Sequence, residues 1–215
     1  GELADAIRRE TNESRLELAG DPLENVPLSQ LVMTDLTERL MRGTEFYYDI
    51  AGAKPVAYMR RRADFVSTLP SLLVRAGYKG VLLFTTEGWQ TPEKRHSIIR
   101  WASPDGRKLG AVTRYPYDGN LSETFLKLPR ELGRMLDADY APTVTLAHYP
   151  KRVKRWLNDM FVAQQYAPVF GRFHSLEGFF KATKYTGQTN PLDESLYLKS
   201  RLLVDAVENN RPNQI

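Results

Sequence analysis

The chain of 215 residues has no cysteine. That excludes disulfides, thiolate zinc sites and cysteine nucleophiles, and it fits a reducing, cytoplasmic setting. Histidine is scarce as well. His96, His148 and His174 are scattered, with no HxH or HExxH spacing, so a complete metal site within the chain is not expected. The absence of a P-loop and of a GxGxxG run removes the common nucleotide-binding routes. No apolar run approaches the roughly 18 residues that a transmembrane helix needs, so no membrane span is expected. No basic-then-apolar leader opens the chain, which begins at Gly1. There is no internal repeat and no low-complexity tract. Charge of one sign is also lacking: 30 Lys and Arg against 26 Asp and Glu leave a net +4. That surplus is too small to signal nucleic acid, for which a concentrated basic stripe is expected.

What is present is an apolar fraction of 42%, enough for a substantial core in one ordinary domain. Residues 54–59 read as a strand, 65–76 as a helix and 79–84 as a fully buried strand. A strand–helix–strand unit of this length implies parallel pairing through a right-handed crossover, and hence an α/β protein. Residues 96–101 and 108–115 read as two further strands. Pro104-Asp-Gly106 between them is a strong hairpin signal.

The flanks are read in the same way. Residues 2–9 form a short amphipathic helix and 15–19 a brief strand. Ser29 caps a helix that runs to Arg42 and ends at Gly43, with Leu31, Met33, Leu36, Leu40 and Met41 inward. Ser122 caps a helix over 123–136, and 143–147 is a buried strand. A helix covers 153–165, Ser175 caps a short one carrying Leu176, Phe179 and Phe180, and a terminal helix spans 194–208.

The polar residues that follow the strands carry the candidate chemistry, because α/β folds place their sites where parallel strands end. Glu24, Asp64, Glu87, Tyr117, Asp118 and His148 all stand in such positions, and Trp89 lies in the loop after the 79–84 strand. Carboxylates with aromatic side chains on one rim suit a carbohydrate: paired carboxylates supply acid and nucleophile, and aromatic faces stack on sugar rings. The plainer alternative is that loops are polar anyway, and that His148 is a capped structural histidine. Arg60-Arg-Arg62 and the basic run from Lys151 to Arg155 are candidate phosphate contacts, set against the ordinary reading of a solvated helix face. Asn12-Glu-Ser14 and Asn120-Leu-Ser122 match the glycosylation sequon, a pattern that carries no weight without a secretion signal.

The order of segments resembles the N-terminal catalytic domain of glycoside hydrolase family 38, the α-mannosidase-like enzymes. Arg15-Leu-Glu-Leu-Ala-Gly20 is similar to that family's early Gly-terminated strand. Leu40-Met-Arg-Gly43 with Gly52-Ala-Lys-Pro55 resembles its helix-to-strand step. Leu69-Pro-Ser-Leu-Leu73 with Ala76-Gly-Tyr78 resembles its next helix, and Ile99-Arg-Trp101 with Pro104-Asp-Gly106 its hairpin. Ala147-His-Tyr-Pro150 and Phe173-His-Ser-Leu176 resemble later element starts. The resemblance covers roughly residues 15–182. It implies a seven-stranded parallel β/α barrel and a catalytic zinc held by an early His-x-His-x-Asp strand, an aspartate nucleophile and a late histidine. Nothing in this chain matches the first of these motifs. Glu24, Asn25 and Val26 stand where the nucleophile is expected, and Arg61-Arg-Ala-Asp64 stands for the family's Asp-Pro-Phe-Gly-like run. The zinc site is therefore not carried over.

The expectation is an α/β chain with a parallel barrel-like domain over 1–182, incomplete at its N-terminal end, followed by a loop, helix and frayed tail over 183–215. It would act on or bind a glycan, with Glu24 and Asp64 as the carboxylates near the reacting carbon. Asp118 and His148 would bind hydroxyls, and Trp89 and Tyr117 would stack on the sugar. A non-catalytic interaction or scaffold module competes with this reading, and a nucleic-acid-binding domain rests only on the basic clusters. An incomplete barrel exposes strand edges, so self-association is also expected.

Overall fold

A computed structural model of the chain describes residues 1–20, 26–60, 65–85, 98–124, 126–127, 130, 144–148, 155–166 and 171–183. Helix α1 spans Glu2–Asn12, α2 Met33–Ala51 and α3 Leu69–Ala76. Helix α4 spans Trp156–Tyr166 and α5 Leu176–Ala182. Strands β1 (Ala57–Arg60), β2 (Gly80–Thr85), β3 (Ile98–Ala102) and β4 (Lys108–Val112) form a four-stranded sheet in the order β1-β2-β4-β3. Strands β5 (Tyr117–Asp118) and β6 (Ala147–His148) form a separate parallel pair.

The expected parallel barrel is not what the described residues form. The described strands make an open mixed sheet: β1, β2 and β4 run parallel, but β3 is antiparallel to β4. The cause is local. Pro104-Asp-Gly106 reverses the chain, with Gly106 at φ +84° and its amide donating to the Ser103 carbonyl at 2.9 Å. A hairpin joins antiparallel neighbours, whereas each strand of a parallel barrel needs its own crossover. The strand–helix–strand reading is correct: β1 pairs with β2 in parallel across α3, from Ala57 opposite Gly80 onward.

Each face of the sheet carries its own core. Tyr58, Val81, Leu83, Ile99, Trp101, Leu109 and Ala111 pack beneath Leu36 and Leu40 of α2 and Leu69, Leu72 and Leu73 of α3. On the other face Ala57, Leu82, Phe84 and Val112 meet Phe180 of α5, with Ala19, Val144, Leu146 and Leu176 packed around them. The closest approach is at Gly80, where a Cβ would come within 2.1 Å of the Phe180 ring. Only glycine leaves room for that ring at the start of β2.

Several boundaries differ from expectation. Helix α2 runs through Gly43 and ends at Gly52 in the left-handed conformation. An internal glycine costs a helix only about 1 kcal/mol, less than the burial of Leu36, Leu40, Thr44 and Ala51 returns. Met33 and Met41 face solvent rather than the core. Val32, not Ser29, precedes the helix, and Ser29 lies in a short 3-10 turn over Leu28–Gln30. The strand expected over 15–19 reduces to a parallel bridge of Ala19 with Ala57, extended by the Gly20 amide donating to the Ala57 carbonyl. The strand expected to be buried at 143–147 is the exposed Ala147–His148. Ser175 caps α5 as expected, accepting from the Gly178 amide at 3.0 Å. The helix expected over 194–208 lies outside the described residues.

Candidate functional site

The carboxyl ends of β1, β2 and β4 lie at one edge of the sheet, the edge where open α/β folds bind ligands. Residues 113–116 lead from β4 directly into β5. The partner strand arrives from Val144 and Leu146, which pack against the sheet's second core. In the β5–β6 ladder Tyr117 is opposite Ala147 and Asp118 opposite His148. The Tyr117 amide donates to the Leu146 carbonyl and the Gly119 amide to the His148 carbonyl, each at 2.7 Å. Partners in a parallel ladder sit about 5 Å apart with side chains on the same face. Asp118 and His148 are therefore neighbours, both exposed, while Tyr117, half-buried, shares the opposite face of the ladder with Ala147.

Asp118 sits at the head of a tight turn. Its Oδ1 accepts from the Asn120 amide at 2.8 Å and from Asn120 Nδ2 at 3.0 Å. Its carbonyl accepts from Thr124 Oγ1 at 2.6 Å. Lys127 Nζ stands 5.8 Å from the centre of the Tyr117 ring, within range of a cation–π contact. Two of the expected site residues, Asp118 and His148, thus come together on one face, and Tyr117 stands in the same ladder on the other. The other three, Glu24, Asp64 and Trp89, lie outside the described residues, as does His96. Asn120 is read from the sequence only as part of a glycosylation sequon, and Thr124 and Lys127 are not marked at all. The Asp118-Gly-Asn120 run is a turn signal that could have found Asn120; nothing local marks the other two.

Two polar features turn out to be structural. Arg60, read as a candidate phosphate contact, is 1% exposed at the end of β1, and its Nη2 donates to the Val26 carbonyl at 2.7 Å. It secures the segment before α2 rather than facing a ligand. Glu17 caps α5 from far away in sequence: its carboxylate accepts from the amides of Leu176 and Glu177, the latter at 3.2 Å. With Ser175 it satisfies the amides of the first three helical residues. His174, beside this cap, is exposed.

Among the described residues the strongest electrostatic perturbation lies at the sheet's opposite edge, in the turn that starts β4. Ser71 Oγ donates to Asp105 Oδ2 at 2.6 Å, and Arg107 bonds the same carboxylate through its amide and its guanidinium. Ser71 first, and then Arg107, lower the Asp105 carboxyl to about 2. This joins the hairpin to α3 and is remote from the carboxyl ends of the parallel strands. It is a structural ion pair, not a catalytic acid.

Among the described residues no group of three or more His, Cys, Asp or Glu side chains could hold a metal ion. Asp118 and His148 are two ligands at most, so they do not fit the zinc of the resembled family. No helix among the described residues is long and apolar enough to cross a membrane. No protein-family model matches the chain, and no curated protein matches it.

Proposed function

We propose that this chain is a carbohydrate-active domain that binds a glycan at the carboxyl edge of its sheet. The single observation that carries the reading is the β5–β6 register, which sets Asp118 beside His148 on one exposed face. A carboxylate and an imidazole side by side accept and donate to the paired hydroxyls of a sugar. Asp118 suits binding better than nucleophilic attack, because two donors from Asn120 already stabilise one of its oxygens. Hydrolysis needs a carboxylate pair, and Glu24 and Asp64 are the proposed pair.

The competing reading is a glycan-binding module without catalysis, which needs only the Asp118–His148 pair of the β5–β6 ladder. A panel of chromogenic aryl glycosides, α-mannoside included, separates the two when run with zinc, with chelator and alongside direct binding measurements. Turnover indifferent to chelator supports a metal-free carboxylate pair. Zinc-dependent turnover supports a metal site completed by residues outside those described. Binding without turnover supports the module. No binding and no turnover on any sugar contradicts the carbohydrate reading altogether.

A further inference from the structure

We propose that Asn120 and Thr124 are positioning residues that preset the Asp118 carboxylate for its ligand, an inference that rests on the carbohydrate reading above. Asp118 is held at both ends. Asn120 directs its amide and its Nδ2 to the same Oδ1, which stops the carboxylate turning about its last torsion. The Thr124 hydroxyl, on a residue 2% exposed, donates to the Asp118 carbonyl, which also accepts from the Leu121 amide at 3.3 Å. The ladder bond from the Gly119 amide to the His148 carbonyl then ties this fixed turn to the backbone of the second residue of the site. A buried threonine hydroxyl is normally paired; here its partner is the backbone of the one carboxylate that the register sets beside a histidine. An exposed aspartate without these bonds would sample several rotamers, and a ligand would have to order it. Prior ordering of one side chain is worth about three- to tenfold in affinity. The turn thereby converts a surface carboxylate into a directed acceptor.

The test uses the full chain and the variants Asn120→Ala, Thr124→Val and Thr124→Ser. Affinity for the aryl glycosides, α-mannoside first, is read together with hydrogen exchange at the Asn120 amide and the thermal midpoint. The expected result is about three- to tenfold weaker binding in Asn120→Ala and Thr124→Val, measured well below their melting temperatures. Thr124→Ser, which keeps the hydroxyl, should restore wild-type affinity. The Asn120 amide should be protected in the wild type and lose protection in Asp118→Ala. Wild-type affinity in all three variants, or an unprotected Asn120 amide, would overturn the positioning role while leaving the carbohydrate reading intact. A wild type that binds no glycoside would sink the carbohydrate reading and reduce both residues to turn formers, whatever the exchange rate.

Discussion

The three parallel strands of the main sheet bury side chains on both faces, Tyr58, Val81 and Ala111 toward one core and Ala57, Leu82 and Val112 toward the other. The β5–β6 pair buries none of its own four residues and is held by backbone bonds, a turn and the apolar anchors that precede β6. One region has its energy in apolar contact and the other in hydrogen bonds at an exposed edge. The difference teaches where change is tolerated. Substitutions in the sheet should be felt as stability, and substitutions at the pair as ligand recognition, because the pair contributes little buried area.

The sharpest way to break that comparison is at Trp101, which is fully buried and meets Phe65 edge to face at 5.9 Å. Trp101→Ala should cost about 3–5 kcal/mol in denaturant unfolding. A loss below about 1 kcal/mol would mean that the sheet's first core does not dominate stability. A smaller effect is expected at the distant cap. Glu17→Ala leaves two α5 amides without their carboxylate and should lower stability by about 1–2 kcal/mol, with Glu17→Gln losing less. Equal losses in the two variants would show that packing, not the hydrogen bonds, is what Glu17 supplies.

The smallest effect is a pH dependence. The Asp105 carboxyl is lowered from 3.8 to about 2 in the folded chain. A depressed carboxylate stabilises the fold above its unfolded value and loses that contribution as pH falls through the folded value. Stability owed to Asp105 should therefore be intact above pH ~4 and fade toward pH ~2. Asp105→Asn should flatten unfolding midpoints over that window, and an unchanged acid profile would remove the ion pair from the account.

Legibility followed the range of the interactions. The β1–α3–β2 unit could be read because local periodicity and the turn residues around it are all within a short stretch. The hairpin is equally plain in Pro104-Asp-Gly106, and the antiparallel β3 that follows from it is incompatible with a simple parallel barrel. Helix α2 was cut short at Gly43 because propensity is local, whereas Thr44 and Ala51 are held in the helix by tertiary burial. At the candidate site, Tyr117, Asp118 and His148 could be chosen as polar residues following strands. Their pairing across residues 118 and 148 could not, since register depends on the whole sheet. Arg60 and Glu17 show the same gap: a buried arginine and a helix cap look like any surface charge until a distant backbone partner is in view.

The central claim is that an exposed pair of strands, marginal for stability, is the surface that recognises a glycan. It is tested most directly by titrating the Asp118→Ala/His148→Ala double variant and the wild type with the aryl glycosides, each at a temperature where both are folded. The account predicts a loss of glycoside affinity of about 100-fold or more, with the thermal midpoint shifted by no more than a few degrees. Unchanged affinity in the double variant, or unfolding in place of a binding defect, would contradict it.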